Sequence, residues 1–273
     1  MNFHTDEWIM DRVREHYNEA LEYFPEDRIV GIFLQGSQNY GLDYKGSDID
    51  TKLIVVPTFE EIAFNKKPHS TTHVRENNEH IDFKDIRLYI ETFRKQNLNF
   101  LEILFTPYKI VNPQYAAWWN RLIEAREDIT HYDIHRAIKS MKGIALEKYH
   151  AMEHRYPTKV DIIDKYGYDS KQLHHLLRVE EYLENYINGA SYEDCLTPSP
   201  ESASLLSTIK KDNGYFSLAD AQYNALMSIK HIEALCEYGL NKFPEGHDEK
   251  VDEMLNKVQY EIMKIAIEKE FNK

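Results

Sequence analysis

The sequence predicts an α+β protein in which a small sheet-bearing domain is followed by an all-helical one. Two observations carry this. Within residues 1–110, short apolar runs at Arg28 to Leu34 and Asp48 to Val56 are closed by Gly36-Ser37 and by Pro57, as strands are. Beyond Pro113 such runs vanish, and long segments with apolar residues at helical spacing take over. The boundary is therefore placed between residues 1–110 and residues 111–273.

Taken in order, Trp8, Ile9, Val13, Tyr17 and Leu21 give Thr5 to Tyr23 a helical stripe, with Thr5 as its cap. Two strands follow, at Arg28 to Leu34 and at Asp48 to Val56. Thr71 to Val74 and His80 to Phe83 read as further strands, with Asn77-Asn78 as a hairpin turn between them. Asp85 to Lys95 reads as a helix. The second part holds helical segments at Tyr115 to Glu127, Asp133 to Tyr156, Ser170 to Ile187, Leu218 to Leu240 and Asp248 to Glu270. Asn188 to Pro200, with Gly189, Pro198 and Pro200, reads as a loop.

Composition narrows the function classes. A hydrophobic share of 42% with 19 Tyr and 12 Phe indicates a folded chain. No apolar run approaches the roughly 20 residues of a membrane helix, and the first residues lack a signal-peptide pattern, so the expectation is a cytoplasmic protein without a membrane partner. Only Cys195 and Cys236 occur, which argues against a disulfide framework or a cysteine-based zinc site. The net charge of −13 works against binding nucleic acid over the whole surface. A local exception is the central series Lys139, Lys142, Lys148, Arg155, Lys159, Lys165, Lys171 and Arg178, a pointer to a polyanion contact.

The chemistry concentrates in GSQNYGLDYKGSDIDTKLIV, Gly36 to Val55. In a strand, residues i and i+2 share a face, so Asp48 and Asp50 project side by side while Ile49 turns inward. Two adjacent carboxylates repel unless a cation lies between them. Their oxygens suit Mg²⁺ or Mn²⁺, the former typically completing its shell with water and substrate phosphates. Ahead of them, a strand ending in Gly36-Ser37 bares backbone N–H groups and a hydroxyl for phosphate oxygens. An Asp-x-Asp pair alone is common in turns; the whole arrangement of strand, Gly-Ser, spacer and paired acids is far more restrictive.

Gly36-Ser37 followed by Ser47-Asp48-Ile49-Asp50 resembles the signature of the DNA polymerase beta-like nucleotidyltransferase superfamily. Gly36-Ser37-Gln38-Asn39-Tyr40-Gly41-Leu42 is similar to the GSxxYGL form of a bacterial and phage branch of that superfamily. Asp85 to Tyr89 with Asn97 to Phe105, and Tyr168 to Lys171 with His175 to Arg178, resemble two further blocks of the branch. Leu98 stands where the branch usually has proline. The likeness spans most of Gly31 to Arg178 and does not reach the last third.

The resemblance implies a mixed-sheet nucleotidyltransferase domain in which Asp48 and Asp50 ligate the metal while Gly36 and Ser37 hold the triphosphate. It also implies a third catalytic, metal-binding carboxylate on a neighbouring strand. Asp82, flanked by Ile81 and Phe83, is favoured for this role. Asp85 and Glu79 are rivals, and Asp85 is equally a helix cap. Lys171, His175 and Arg178, at i, i+4 and i+7, share a helix face able to bind the triphosphate or an RNA phosphate, whereas His174 faces the core. His150 and His154 have zinc-ligand spacing but no third ligand.

The expected activity is transfer of a nucleoside monophosphate from a triphosphate such as ATP to an acceptor hydroxyl, releasing pyrophosphate. Branch members found near RNA ligases imply an RNA end as acceptor, in tRNA repair or modification. Transfer to a protein or small molecule is the alternative, and a silent nucleotide- or RNA-binding module a third reading.

Overall fold

The computed structural model describes residues 3–272. In chain order its elements are α1 (Asp6–Ala20), β1 (Ile29–Gln35), β2 (Asp50–Val55), α2 (Phe59–Ala63), β3 (Ser70–Val74), β4 (His80–Asp85), α3 (Ile86–Arg94), α4 (Leu98–Leu101) and β5 (Lys109–Val111). Helices follow: α5 (Ala116–Glu124), α6 (Arg126–Thr130), α7 (Ile134–Ala151), α8 (Val160–Tyr166), α9 (Ser170–Ile187), α10 (Tyr192–Leu196), α11 (Pro200–Lys211), α12 (Leu218–Lys242) and α13 (Glu249–Phe271). The class is α+β, as the sequence predicts. Of the described residues, one compact unit comprises 3–39, Lys45–Asp133 and 247–272; the other comprises Tyr40–Tyr44 and Ile134–Gly246.

The first unit is built on a mixed sheet of order β3-β4-β2-β1-β5. β1 is antiparallel to both β2 and β5, β2 runs parallel to β4, and β3 is antiparallel to β4. Residues Ile29 to Leu34 are all buried, the pattern of a strand covered on both faces. On one face, α1 is capped by the Thr5 hydroxyl and lays Ile9, Val13 and Ala20 on Leu53, Val55, Ile81 and Phe83. Burying each of the larger side chains, such as Ile9 and Val13, is worth about 1.5–3 kcal/mol. Elsewhere in this unit, buried Trp119 of α5 packs on Phe33 at 4.3 Å between ring centroids. At Gly31 a side chain is excluded by close approach, since a Cβ there would lie 2.8 Å from the Ile110 carbonyl oxygen.

The sequence boundary at 110/111 falls inside this unit rather than between units. α13 packs on α5 and α3, and Arg94 Nε holds Asp252 Oδ1 at 2.7 Å. α13 therefore belongs with the sheet, although its own pattern is purely helical. β5 escapes sequence reading because its three residues are all half-buried and carry no alternation. The Asn77-Asn78 hairpin is present, with Asn78 at φ 65°.

The second unit is helical. α9 is its centre and contacts α7, α10, α11 and α12, burying Leu173, Leu176, Val179, Tyr182, Leu183 and Tyr186. Asn188 to Pro200 is not simply a loop. α10 forms within it on a Ser191 cap, and Ser199 caps α11 with Pro200 in the first turn, signals present in the sequence. No described helix is long and apolar enough to cross a membrane.

Candidate active site

The Gly-Ser turn and the acid pair occupy the same end of two adjacent strands. Gln35, the last residue of β1, pairs in register with Asp50, the first of β2. Gly36 then takes φ +103°, a conformation that glycine adopts readily and side chains rarely do, and a 3₁₀ turn follows over Ser37–Tyr40. Asn39 closes this turn: its N–H donates to the Gly36 carbonyl at 3.0 Å, and its Nδ2 donates to the Leu34 carbonyl at 3.1 Å. Gln38 Nε2 donates to the Asp48 carbonyl at 2.8 Å, tying the turn directly to the acidic segment.

Gly36→Ala tests how far function depends on this turn. The added methyl group meets only Gln38 Oε1, at 3.8 Å, so its cost comes from the backbone, about 1–2 kcal/mol. We expect a small loss in thermal unfolding and a larger loss in nucleoside triphosphate affinity by calorimetry.

The carboxylates are held differently. Asp48 is exposed before the start of β2, and buried Ile49 separates it from Asp50. The Asp50 side chain is 43% exposed. Its Oδ1 accepts from the His80 N–H and from His80 Nδ1, both at 3.0 Å, while Oδ2 has no hydrogen-bond partner among the described residues. His80 is brought there by the parallel pairing of β2 with β4, which sets Thr51 against Ile81.

Asp82 lies one pair further along, opposite Lys52. Its Oδ2 is 3.2 Å from Lys52 Nζ, and its Oδ1 accepts from the Thr72 hydroxyl. Burial opposes its charged form, but Lys52, Thr72 and Lys84 outweigh this and hold its pKa low. Lys52 is itself buried, with its pKa lowered by desolvation against the pull of Asp82, and its ammonium sits 4.2 Å from the Phe100 ring centroid. Asp82 thus neutralises a buried lysine.

The rival acids also have other partners. Asp85 caps α3 through Arg87 N–H at 2.9 Å and pairs with the Arg87 guanidinium. Glu79 is buried among Arg12, His16 and Arg75, and its Oε1 accepts from the Ile49 N–H at 3.3 Å. The backbone between Asp48 and Asp50 is therefore anchored by a buried, charge-compensated glutamate, a role that no motif in the sequence signals.

Among the described residues, no group of three or more His, Cys, Asp or Glu side chains is arranged to hold a metal ion. The donors that suit a hard cation are Asp48 and Asp50. Magnesium takes one or two carboxylates with water and phosphates, and Asp50 keeps an exposed oxygen for it.

The other predicted residues lie in the helical unit. Lys171 is exposed in the first turn of α9. His175 is pushed well below the ordinary histidine range by burial, so it is a neutral imidazole rather than a third positive group. His174 is in the core, where its Nδ1 donates to the Leu206 carbonyl at 2.8 Å. The Arg178 guanidinium lies 3.6 Å from the centroid of Tyr40, a residue of the spacer between Gly36-Ser37 and Asp48. Lys210, not singled out in the sequence, donates to the Leu42 carbonyl at 3.2 Å. These two cations fix the spacer on the helical unit.

Several residues of the central basic series are already paired, Lys142 with Glu233, Arg155 with Asp164 and Lys159 with Asp169. His150 and His154 do not share a helix, since α7 ends at Ala151.

No family model and no curated protein matches the chain. Among solved structures, the chain is similar to a nucleotidyltransferase-like protein from Exiguobacterium sibiricum 255-15, at 11% identity and a TM-score of 0.33, over 84% of this chain and 75% of that one.

Proposed function

We propose that the protein is a metal-dependent nucleotidyltransferase that moves a nucleoside monophosphate from a triphosphate such as ATP to an acceptor hydroxyl, the acceptor being an RNA end in tRNA repair or modification. The observation that carries this reading is the register of Gln35 with Asp50, which sets a positive-φ glycine turn beside the Asp48 and Asp50 carboxylates. The motif resemblance spanning Gly31 to Arg178 supports it.

In this reading the Gly36-Ser37 turn binds the triphosphate through backbone N–H groups and the Ser37 hydroxyl. The acceptor oxygen attacks the α-phosphorus in line, the bond to the β-phosphate oxygen breaks, pyrophosphate leaves, and the hydroxyl proton passes to a carboxylate of the site. Asp48 and Asp50 would hold the magnesium ion, which when bound would supply charge neutralisation at the phosphates. His80 orients Asp50. In this reading Asp82 acts through Lys52, its partner at 3.2 Å, keeping that lysine charged beneath the site.

The test offers the purified protein each α-labelled triphosphate with Mg²⁺ or Mn²⁺, together with intact tRNA, nicked tRNA or total protein. The expected result is label in RNA, with stoichiometric pyrophosphate. Label in protein alone supports the alternative acceptor; nucleotide binding without pyrophosphate release supports the silent module.

A further inference from the structure

We propose that a cleft of the sheet-bearing unit, separate from the Gly-Ser turn, seats the terminal nucleotide of a single-stranded RNA acceptor. The base lies on the Trp8–His4 stack, the phosphate at Lys45, and the ribose hydroxyl at Asp48. The proposal rests on the transferase reading and adds to it the place and chemistry of the acceptor.

The cleft has a volume of about 380 Å³, within the range of small-molecule sites. His4 and Trp8 form one wall. Their rings are nearly parallel, 14° apart with centroids at 4.0 Å, and Trp8 remains 38% exposed. An indole fixed by a stacked neighbour and still open to solvent is a platform for another flat ring.

Two cations line the cleft, and they differ. Arg12 is engaged by Glu15 and Glu79, whereas Lys45 is exposed and has no ion-pair partner among the described residues. Lys45 is therefore the group available to an incoming phosphate. Asp48 completes the wall, so the cleft reaches one of the two carboxylates of the proposed metal site.

A nucleotide combines the three features this lining selects: a flat aromatic face, an anionic group and a hydroxyl. It is the acceptor rather than the donor that belongs here, because Gly36 and Ser37, which hold the triphosphate in the reading above, do not line the cleft. Stacking of this kind tolerates any base, and a single free lysine fits a protein of charge −13 that grips only the end of its substrate.

The test is fluorescence anisotropy of a 5′-labelled tetraribonucleotide with a free 3′ hydroxyl, bound to the full chain without triphosphate. Trp8→Ala is expected to weaken binding about tenfold and Trp8→Phe to restore most of it. Lys45→Gln is expected to weaken binding and to flatten the log–log salt dependence by about 0.7. MgATP affinity, measured by calorimetry, should stay unchanged in all three variants.

Three results overturn the proposal: no binding of the oligonucleotide by the wild type, equal binding by wild type and variants, or a parallel loss of MgATP affinity, which would make the cleft the donor's site. The transferase reading fails on a different measurement, absence of pyrophosphate release with every acceptor. Anisotropy without triphosphate is independent of that outcome.

Discussion

Asp50→Asn is expected to lower the rate of pyrophosphate release by on the order of 10²–10³-fold while leaving thermal unfolding almost unchanged. The two halves of this expectation have separate causes. Asn keeps an oxygen at Oδ1 for the His80 N–H, and an exposed carboxylate–imidazole contact contributes at most about 1 kcal/mol, so little stability is lost. What disappears is the negative charge that a metal ion requires. Asp82→Asn provides the contrast. The Lys52 side chain is 3% exposed, and removing its counter-charge leaves a buried ammonium, a change that typically costs about 3–5 kcal/mol. Calorimetric unfolding and a pyrophosphate-release assay on the two variants separate a carboxylate used for chemistry from one used for the fold. Equal loss of turnover and equal loss of stability in both would contradict the assignment.

That contrast also marks where sequence reasoning reached its limit. The apolar strand after the acid pair, the glycine turn before it and the helical stripe of Ser170 to Ile187 are local patterns, and the structure reproduces them as elements, with β2 starting at Asp50 and leaving Asp48 just outside it. The partner of a carboxylate is not local. Asp82 sits in an apolar-acid-apolar setting that suits a catalytic residue equally well, and only the parallel register of β2 with β4 reveals Lys52 opposite it. Arg178 shows the same limit. Its spacing from Lys171 places both on one helix, but nothing in that spacing says that its guanidinium lies over Tyr40. The two motif blocks that contain Tyr40 and Arg178 are distant in sequence and meet in one cation–π contact worth about 0.5–2 kcal/mol. α13 likewise has an ordinary amphipathic pattern, and its place with the sheet depends on contacts to α3 and α5 more than 120 residues earlier in the chain.

Glu79→Gln is expected to cost about 3 kcal/mol of stability in urea unfolding at neutral pH. The carboxylate is 8% exposed and accepts from Arg12, from Arg75 Nη1 at 2.9 Å and from His16 Nε2 at 3.0 Å. Burial alone would raise its pKa; the hydrogen bonds from His16, Arg12 and Asn77 outweigh burial and depress it far below the ordinary glutamate value of 4.5. The direction of the shift sets the pH dependence. Because the folded pKa is the lower one, the unfolded chain takes up the proton first as the solution is acidified. The stabilisation is therefore complete above about pH 4.5 and is lost progressively as the pH falls toward the depressed folded value. In Glu79→Gln this acid-sensitive component is absent, so the stability gap between wild type and variant should narrow below pH 4.5 and stay constant above it. The loss is kept toward the lower end because Arg12 retains Glu15 and Arg75 retains Glu19. Gln also keeps an oxygen able to accept from the Ile49 N–H, so the backbone between Asp48 and Asp50 remains anchored and turnover at low temperature should fall far less than in Asp50→Asn. A gap that is independent of pH across the acid range would mean that the compensated carboxylate is not what the network stabilises.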